Sequence, residues 1–185
     1  RIGSSAASDV YKRQLMVSVG FDAEVIHDLH ARRHGPIRHA SYIAPILRTA
    51  LRRKWPKVSI DVDGQQVVEQ RRGLAIVANF SGYAFGMDPA RDAQPDDGLL
   101  DVVFLPTSSV TRTLLWAWRS RRGVAVDHSA AVVARGARVT LSGPEKMALQ
   151  LDGDAAGLQD KVDITLLPLG YEVIVPSPSM PASHA

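Results

Sequence analysis

The sequence predicts a mainly β fold of the α+β class: an antiparallel β-sandwich with a few flanking helices. Short apolar segments recur along most of the chain at roughly the four to eight residues that are typical of strands. After the first fifty residues or so, a helical pattern interrupts these segments in only one place. Because a parallel doubly wound sheet needs a helix between successive strands, this order favours a sandwich.

Two helices are predicted near the start of the chain, from about residue 22 to 31 and from about residue 37 to 53. Gly35-Pro36 separates them, and Pro45 should restrict or kink the first turns of the second. The second helix is amphipathic. Its apolar residues recur at helical spacing and are Ile43, Ile46, Leu47, Ala50 and Leu51.

The rest of the chain is predicted mostly as strands. Residues 58–62 and 66–69 alternate between apolar and polar around Asp63-Gly64, which is a strong hairpin signal. Residues 73–79 are continuously apolar, as expected of a buried central strand. A helix is predicted over residues 110–121. Further strands are predicted over 100–105, 130–134, 138–142, 148–151, 162–167 and 172–175.

The composition fits one domain. A chain of 185 residues with 45% hydrophobic content can bury one substantial core. We expect that domain over residues 15–176, a non-native leader over 1–14, where no periodicity is visible, and a disordered tail over 177–185. The absence of cysteine excludes a disulfide scaffold, and the sequence contains no apolar run of membrane-spanning length.

The charge is basic, with a formal net charge of +3. Nucleic-acid binding is not expected, because aromatic and basic residues do not interleave as stacking platforms do. The helix over 110–121 carries Trp116 and Trp118 ahead of several arginines, which suits an anionic membrane surface. The alternative is that both tryptophans belong to the core and the arginines form a solvated helix end.

Two acidic motifs are candidates for chemistry. The turn Asp96-Asp97-Gly98 can hold a hard cation through carboxylate and carbonyl oxygens. Asp152 and Asp154, two residues apart in an extended segment, are predicted to project from one strand face. The alternatives are a solvated turn without a ligand in the first case and a hairpin closed by Asp-Gly in the second.

These motifs and their flanks resemble the C-terminal half of the bacterial diacylglycerol kinase and lipid kinase family, whose relatives include the sphingosine and ceramide kinases. The resemblance implies the C-terminal β-sandwich domain of a two-domain, ATP-dependent kinase. The family's N-terminal nucleotide-binding domain, with its Gly-Gly-Asp-Gly-Thr loop, has no counterpart in this sequence. The matching segments are Ser18 to Ala23, His34-Gly35-Pro36, residues 42–51, Pro95 to Val102, Leu151 to Asp154 and Val173 to Pro176.

The resemblance also implies roles for individual residues. A magnesium ion would bind the Asp97 side chain and the backbone carbonyls of Gln94 and Leu99. The family's general base is the glutamate of an Asp-Gly-Glu motif, and Asp154 stands at that position here, with Asp152 matching the motif's aspartate. Because aspartate is one methylene shorter, we expect one of three outcomes: the backbone at Asp154 lies closer to the substrate, a water molecule bridges to the lipid hydroxyl, or catalysis is weak.

The loop after the strand over 73–79 lies near the cleft in relatives, so Asn79, Gly82, Tyr83 and Gly86 are expected to shape the lipid site. The implied acceptor is diacylglycerol or a similar membrane lipid, with Mg²⁺ as cofactor and ATP as co-substrate, bound mainly by the missing domain. The protein is expected in the cytoplasm, peripheral to the inner face of the membrane, and a homodimer is left open.

Without the nucleotide-binding domain, we expect no kinase activity from this chain. The alternative function is a non-catalytic lipid- or protein-binding sandwich module in which the acidic turn is structural.

Overall fold

The computed structural model describes residues 16–32, 39–52, 55–82 and 86–167. Within these ranges the chain forms seven strands and three α-helices, with a 3-10 turn at His39–Tyr42. The elements are β1 (Met16–Val19), α1 (Phe21–Ala31), α2 (Ile43–Arg52), β2 (Lys57–Val62), β3 (Gln65–Ala78), β4 (Leu100–Pro106), α3 (Val110–Arg121), β5 (Val132–Gly136), β6 (Arg138–Leu151) and β7 (Asp154–Thr165).

All strand pairings among these elements are antiparallel, and four of the strands pair in a closed ring. Both β1 and β2 pair with β3, and both also pair with β6. The long strands β3 and β6 pair with β2 along their first halves and with β1 along their last residues. The strand β4 extends the sheet from β3, β5 follows β4, and β7 pairs with β6. The predicted antiparallel β fold with flanking helices is confirmed.

The strand β4 and the last residues of β3, from Ala75 to Ala78, are buried on both faces. One face packs into the main core, where Ala75, Val77 and Phe104 lie against residues of β1, β2 and β6. The other face packs under α3, where Ile76 and Leu105 contact a second cluster. Successive side chains of a strand point to opposite faces, so a continuous apolar run is what a strand buried on both sides requires.

The two predicted strands 66–69 and 73–79 are one strand, β3. A bulge interrupts the pairing with β2, since Val58 faces Arg71 whereas Ile60 faces Val68. Gln70 takes a positive φ of 48° there, and its backbone N–H donates to the Ser59 hydroxyl at 3.0 Å. The extra residue breaks the alternation in the sequence without ending the strand.

The predicted strands 138–142 and 148–151 likewise belong to one strand, β6, whose register with β7 shifts between Ser142 and Met147. Two strand segments were missed: β1, and the first half of β7. The hairpin at Asp63-Gly64 is confirmed, with φ values of 48° and 85°.

The predicted helices over residues 22–31 and 110–121 correspond to α1 and α3. The described part of the second predicted helix consists of the 3-10 turn followed by α2, with Pro45 in its first turn, where a missing backbone donor costs little. The expected leader, the Gly35-Pro36 break, the strand over 172–175 and the tail lie outside the described residues.

Candidate functional site

A cavity of about 640 Å³ lies against the second face of β3 and β4. Its walls come from α1, α2, α3, the loop after β3 and the turn between β6 and β7. This volume is in the usual range for small-ligand sites, about 300–1,000 Å³. Most of the lining side chains are apolar, and they include Phe21, Val25, Ile26, Ile46, Leu74, Ile76, Phe80, Met87, Leu105, Leu114 and Trp116.

Several polar atoms in the wall are already paired within the protein. The indole N–H of Trp116 donates to the Pro106 carbonyl at 2.9 Å. The hydroxyl oxygens of Thr107 and Thr113 lie 3.0 Å apart, and the Thr113 hydroxyl donates to the Ser109 carbonyl at 3.0 Å. Since these polar groups are paired within the protein, the apolar side chains dominate this part of the wall, which favours hydrocarbon as the occupant.

Asp152 and Gly153 line the cavity and form the two-residue turn between β6 and β7. Their φ values of 50° and 91° are those of a type I′ hairpin turn. Asp152 therefore lies in a turn, and Asp154 begins the next strand. The prediction that the two project from one strand face is wrong, and the hairpin alternative is correct.

The Asp152-Gly153 turn is tied to β1 and to β6. The Met16 N–H donates to Asp152 Oδ1 at 2.8 Å, and the Asp152 N–H donates to the Met16 carbonyl at 3.1 Å. Gly153 N–H donates to the Gln150 side-chain oxygen at 2.7 Å. These bonds fix the turn at the edge of the cavity.

Asp154 lies on the surface, with its side chain 84% exposed. A histidine of α1 lies nearby, with 3.7 Å between His30 Nε2 and Asp154 Oδ1. Asp154 is not among the residues that line the cavity, although its neighbours Asp152 and Gly153 are. Its carboxylate is therefore accessible to solvent.

The acidic turn at Asp97 is closed by an arginine. Asp97 Oδ1 accepts the Leu99 N–H at 2.9 Å, and Asp97 Oδ2 pairs with Arg135 Nη2. The same guanidinium reaches Asp101, its partner across the β4–β5 pair, with 3.0 Å between Arg135 Nε and Asp101 Oδ1. One cation therefore bridges two carboxylates.

Asp101 is buried, and its Oδ2 makes no hydrogen bond to any described residue. Burial raises the pKa of the Asp101 carboxyl above its usual range, while the Arg135 guanidinium acts in the opposite direction. The Arg135 guanidinium thus stabilises the ionised form of the Asp101 carboxyl, which burial disfavours.

The Asp97 turn has the donor chemistry that magnesium prefers. The Asp97 carboxylate and the carbonyls of Gln94 and Leu99 are hard oxygen donors. Within the described residues, no group of three or more histidines and carboxylates could hold a metal ion, so backbone oxygens would have to contribute. A magnesium ion at Asp97 Oδ2 would have to share or displace the Arg135 guanidinium.

The loop after β3 was predicted to lie near a cleft, and part of it lines the cavity. Gly82 lines the cavity with a φ of 101°, and its N–H donates to Asp88 Oδ1 at 3.1 Å. Asn79 and Gly86 are described but are not among the lining residues, and Tyr83 lies outside the described residues. A role in substrate binding stays a prediction for all four.

The sequence did not identify the residues that build the cavity floor, Ile76, Leu105 and Trp116, or the carboxylate of Asp22 on its wall. The available signal was the continuous apolar run of β3, which indicates burial on both faces but not a gap beside one of them.

Exposed apolar side chains occur on α2, on α3 and at Phe80. On α2 they are Ile43, Leu47 and Leu51, at helical spacing. On α3 they are Leu114, Leu115 and Trp118, and Arg122 stacks over the Trp118 ring at 4.4 Å. The two tryptophans differ: Trp116 is 3% exposed and Trp118 is 49% exposed. None of the helices in the described ranges has the length and hydropathy to cross a membrane.

Residues 15–175 match the family model described as the YegS C-terminal NAD kinase beta sandwich-like domain. No curated protein sequence matches the chain.

Among solved structures, a "putative diacylglycerol kinase" from Bacillus anthracis str. Sterne aligns with a TM-score of 0.59 at 17% identity, covering 85% of this chain and 51% of that one. A second structure described in the same words aligns with a TM-score of 0.55 at 18% identity and the same coverage. A diacylglycerol kinase structure from the same organism gives 0.51 at 14% identity, covering 85% and 47%. At these identities the likeness shows the fold, and the chain spans about half the length of each structure.

Proposed function

Because this chain belongs to the family of YegS C-terminal NAD kinase β-sandwich-like domains, within the diacylglycerol kinase-like proteins, we propose that it is the substrate-side half of an ATP-dependent lipid kinase. The acceptor is the hydroxyl of diacylglycerol or a similar membrane lipid. The observation that carries the proposal is the apolar cavity of about 640 Å³ with the Asp152-Gly153 turn at its edge.

The cavity suits the apolar part of a lipid, and the carboxylates near it suit the hydroxyl. Phosphoryl transfer asks the protein to position the acceptor, to neutralise charge and to take a proton from the attacking oxygen. Burying an acyl chain among side chains such as Ile76 and Leu105 supplies the positioning.

Asp154 is the proposed general base. It follows the turn at the cavity edge, and its exposed carboxylate can meet a hydroxyl that emerges there. His30 Nε2 on α1 lies 3.7 Å from this carboxylate. Asp152 has a positioning role, because its bonds to Met16 hold the turn that presents Asp154.

Asp97, with the carbonyls of Gln94 and Leu99, would hold a structural magnesium ion, which when bound supplies positive charge that stiffens the turn. ATP, with its own metal ion, would bind mainly to a nucleotide-binding domain carrying the phosphate loop. Such a domain is the proposed partner of this one, and alone this chain is expected to transfer no phosphate.

A membrane surface is the second proposed partner. Apolar side chains are exposed beside the cavity on α3, at Leu115 and Trp118, and on α2. Positive charge is added at the end of α3 by Arg119, Arg121 and Arg122. An anionic bilayer complements both features. The corresponding location is the cytoplasm, peripheral to the inner face of the membrane.

A non-catalytic lipid-binding module is the second candidate. Two observations favour it: Asp154 lies outside the cavity lining, and it is an aspartate where the family's base is a glutamate. In that case the cavity binds lipid, and the acidic residues only close turns.

Transfer of labelled phosphate from ATP to diacylglycerol, in the presence of Mg²⁺, distinguishes the two. It is measured on this chain alone and on the chain joined to a nucleotide-binding domain. We expect product from the joined protein only, a loss of about a hundredfold or more in Asp154→Asn, and retained activity in Asp154→Glu. Asp160→Asn, on the same strand and also exposed, is the matched control. Full activity in Asp154→Asn excludes Asp154 as the base, and no product from the joined protein favours the binding module.

A further inference from the structure

The size of the cavity limits how much hydrocarbon it can hold. A methylene group fills about as much space as one water molecule, about 30 Å³ in the liquid. The cavity of about 640 Å³ therefore holds about 20 methylene groups. One long acyl chain fills this space, and the two chains of a diacylglycerol exceed it.

The walls leave little room for expansion on the sheet side. Ile76 and Leu105 lie in the segments of β3 and β4 that are buried on both faces, so moving either side chain would disturb the main core as well. Trp116 is fixed by its hydrogen bond to the Pro106 carbonyl and by Arg119, whose guanidinium lies 5.3 Å from the ring centre. This floor is rigid.

The helical wall is also held in place. Asp28 on α1 pairs with Arg48 on α2 at 2.6 Å and with Arg52 at 3.1 Å. These ion pairs set the distance between the two helices that carry Val25, Ile26 and Ile46 into the cavity. Opening a second channel between them would separate a buried carboxylate from its partners, which is costly.

The polar residues of the lining indicate how a chain would lie. Gln150, Asp152 and Gly153 come from one end of β6 and its turn, and Asp22 adds a carboxylate from the first turn of α1. Beneath α3 the hydroxyl oxygens of Thr107 and Thr113 are paired with each other, and the side chains of Ile76 and Leu105 are apolar. An alcohol head group is therefore expected at the Asp152-Gly153 turn, with its chain running toward Trp116.

Resting on the proposed lipid-alcohol function, we propose that the cavity admits a single acyl chain of at most about 20 carbons. The substrate class is thus a lipid alcohol that inserts one chain. A monoacyl alcohol is held completely, and a diacyl lipid leaves its second chain outside the cavity, in the bilayer or on the protein surface.

The test is a binding series on this chain, measured as displacement of a fluorescent fatty acid. Monoacylglycerols with chains of about 8 to about 24 carbons are delivered from a cyclodextrin carrier. We expect affinity to rise about fourfold for each added methylene, to level off near 18 to 20 carbons, and to be no higher for a diacylglycerol than for the monoacylglycerol with the same chain.

Ala117→Phe provides the matched variant, because Ala117 lines the cavity on α3. We expect it to shorten the limiting chain by several carbons, whereas Ala31→Phe, at the exposed end of α1, leaves the limit unchanged. Circular dichroism verifies that both variants fold, and the wild-type series decides the question if one does not.

The outcomes distinguish a failure of the single-chain inference from a failure of the proposed lipid function. If no monoacylglycerol of any length binds the wild-type chain, the lipid function itself fails. If lipids bind but diacylglycerol binds more tightly than its one-chain analogue, or affinity keeps rising beyond about 20 carbons, the single-chain inference is overturned and the lipid function stands.

Discussion

Arg48 approaches the Asp28 carboxylate with two nitrogens, Nε at 2.7 Å and Nη2 at 2.6 Å from the same oxygen, Oδ2. The Asp28 side chain is 2% exposed, and the other oxygen pairs with Arg52 at 3.1 Å and Arg32 at 3.5 Å. This cluster joins α1 to α2, and the two helices form one wall of the cavity. The shape of the proposed lipid site therefore depends on one buried carboxylate.

Asp28→Ala is expected to destabilise the domain by about 2 kcal/mol, because it leaves the guanidinium of Arg48 without its carboxylate and opens space between the helices. The three arginines that pair with Asp28 are partly exposed and can recover some hydration, which keeps the loss below that of a fully buried pair. Urea denaturation measures this change in unfolding free energy. Glu24→Ala, on the same helix, is the control and should change the unfolding free energy by less than about 0.5 kcal/mol. Equal losses of unfolding free energy in the two variants would show that the ion pairs of Asp28 do not stabilise the domain.

The stabilisation from Asp28 should depend on pH. Burial raises the pKa of Asp28, but the hydrogen bond and charge of Arg48, together with Arg52 and Arg32, more than offset burial and hold the pKa below its usual range. The folded state thus binds this proton more weakly than the unfolded state, whose pKa is about 3.9. The contribution is complete above the unfolded pKa and is lost as pH falls through the folded pKa.

The unfolding free energy of the wild type minus that of Asp28→Asn should therefore be largest near neutral pH and shrink steadily below about pH 4. Comparing the two proteins cancels the opposite trend of Asp101, whose raised pKa favours the protonated form in the folded state. A difference that stays constant or widens on acidification would contradict the arginine cluster.

Magnesium and Arg135 should compete for Asp97. Because the guanidinium pairs with Asp97 Oδ2 in the structure, Arg135→Gln should increase the rise in Tm that millimolar Mg²⁺ produces. Adding Asp97→Asn to that variant should abolish the response. Arg138→Gln, an exposed arginine on β6, should respond as the wild type does. If Mg²⁺ shifts the Tm of none of these proteins, the turn is held by arginine alone and is not a magnesium site.

Membrane binding should require the apolar side chains of α3. Leu115→Ser combined with Trp118→Ser should weaken binding to anionic vesicles by about tenfold or more, because two large apolar groups no longer enter the interface. Leu158→Ser removes an exposed leucine on β7 and serves as the control. Added salt should also weaken binding, through Arg119, Arg121 and Arg122. Sedimentation with vesicles measures both effects, and unaltered binding by the double variant would exclude α3 as the contact.

Local signals in the sequence predicted the elements whose neighbours along the chain determine them. The Asp63-Gly64 hairpin and the bounds of α3 are of this kind. The bulge at Gln70 breaks the alternation of a single long strand, so the pattern indicated two strands where the structure has one. The missed strand β1 has only four residues, all buried, and shows no period at all.

The candidate site was less predictable, because residues distant in sequence build it. Asp152-Gly153 was open to two interpretations, and only the pairing of β6 with β7 selects the hairpin. The cation at Asp97 comes from Arg135, which reaches it through the β4–β5 pair. The cavity combines several separate segments of the described chain, and no single segment carries a signal for a gap between them.

Photolabelling tests the central claim most directly. A long-chain alcohol with a photoreactive group at the end of its chain is bound to the protein, irradiated and located by mass spectrometry of the peptides. We expect labelling on the cavity floor, at Leu105, Trp116 or their neighbours, and its loss when excess unlabelled monoacylglycerol competes. Labelling confined to the exposed face of β7, or labelling that the competitor does not reduce, would contradict the assignment of this cavity as a lipid site.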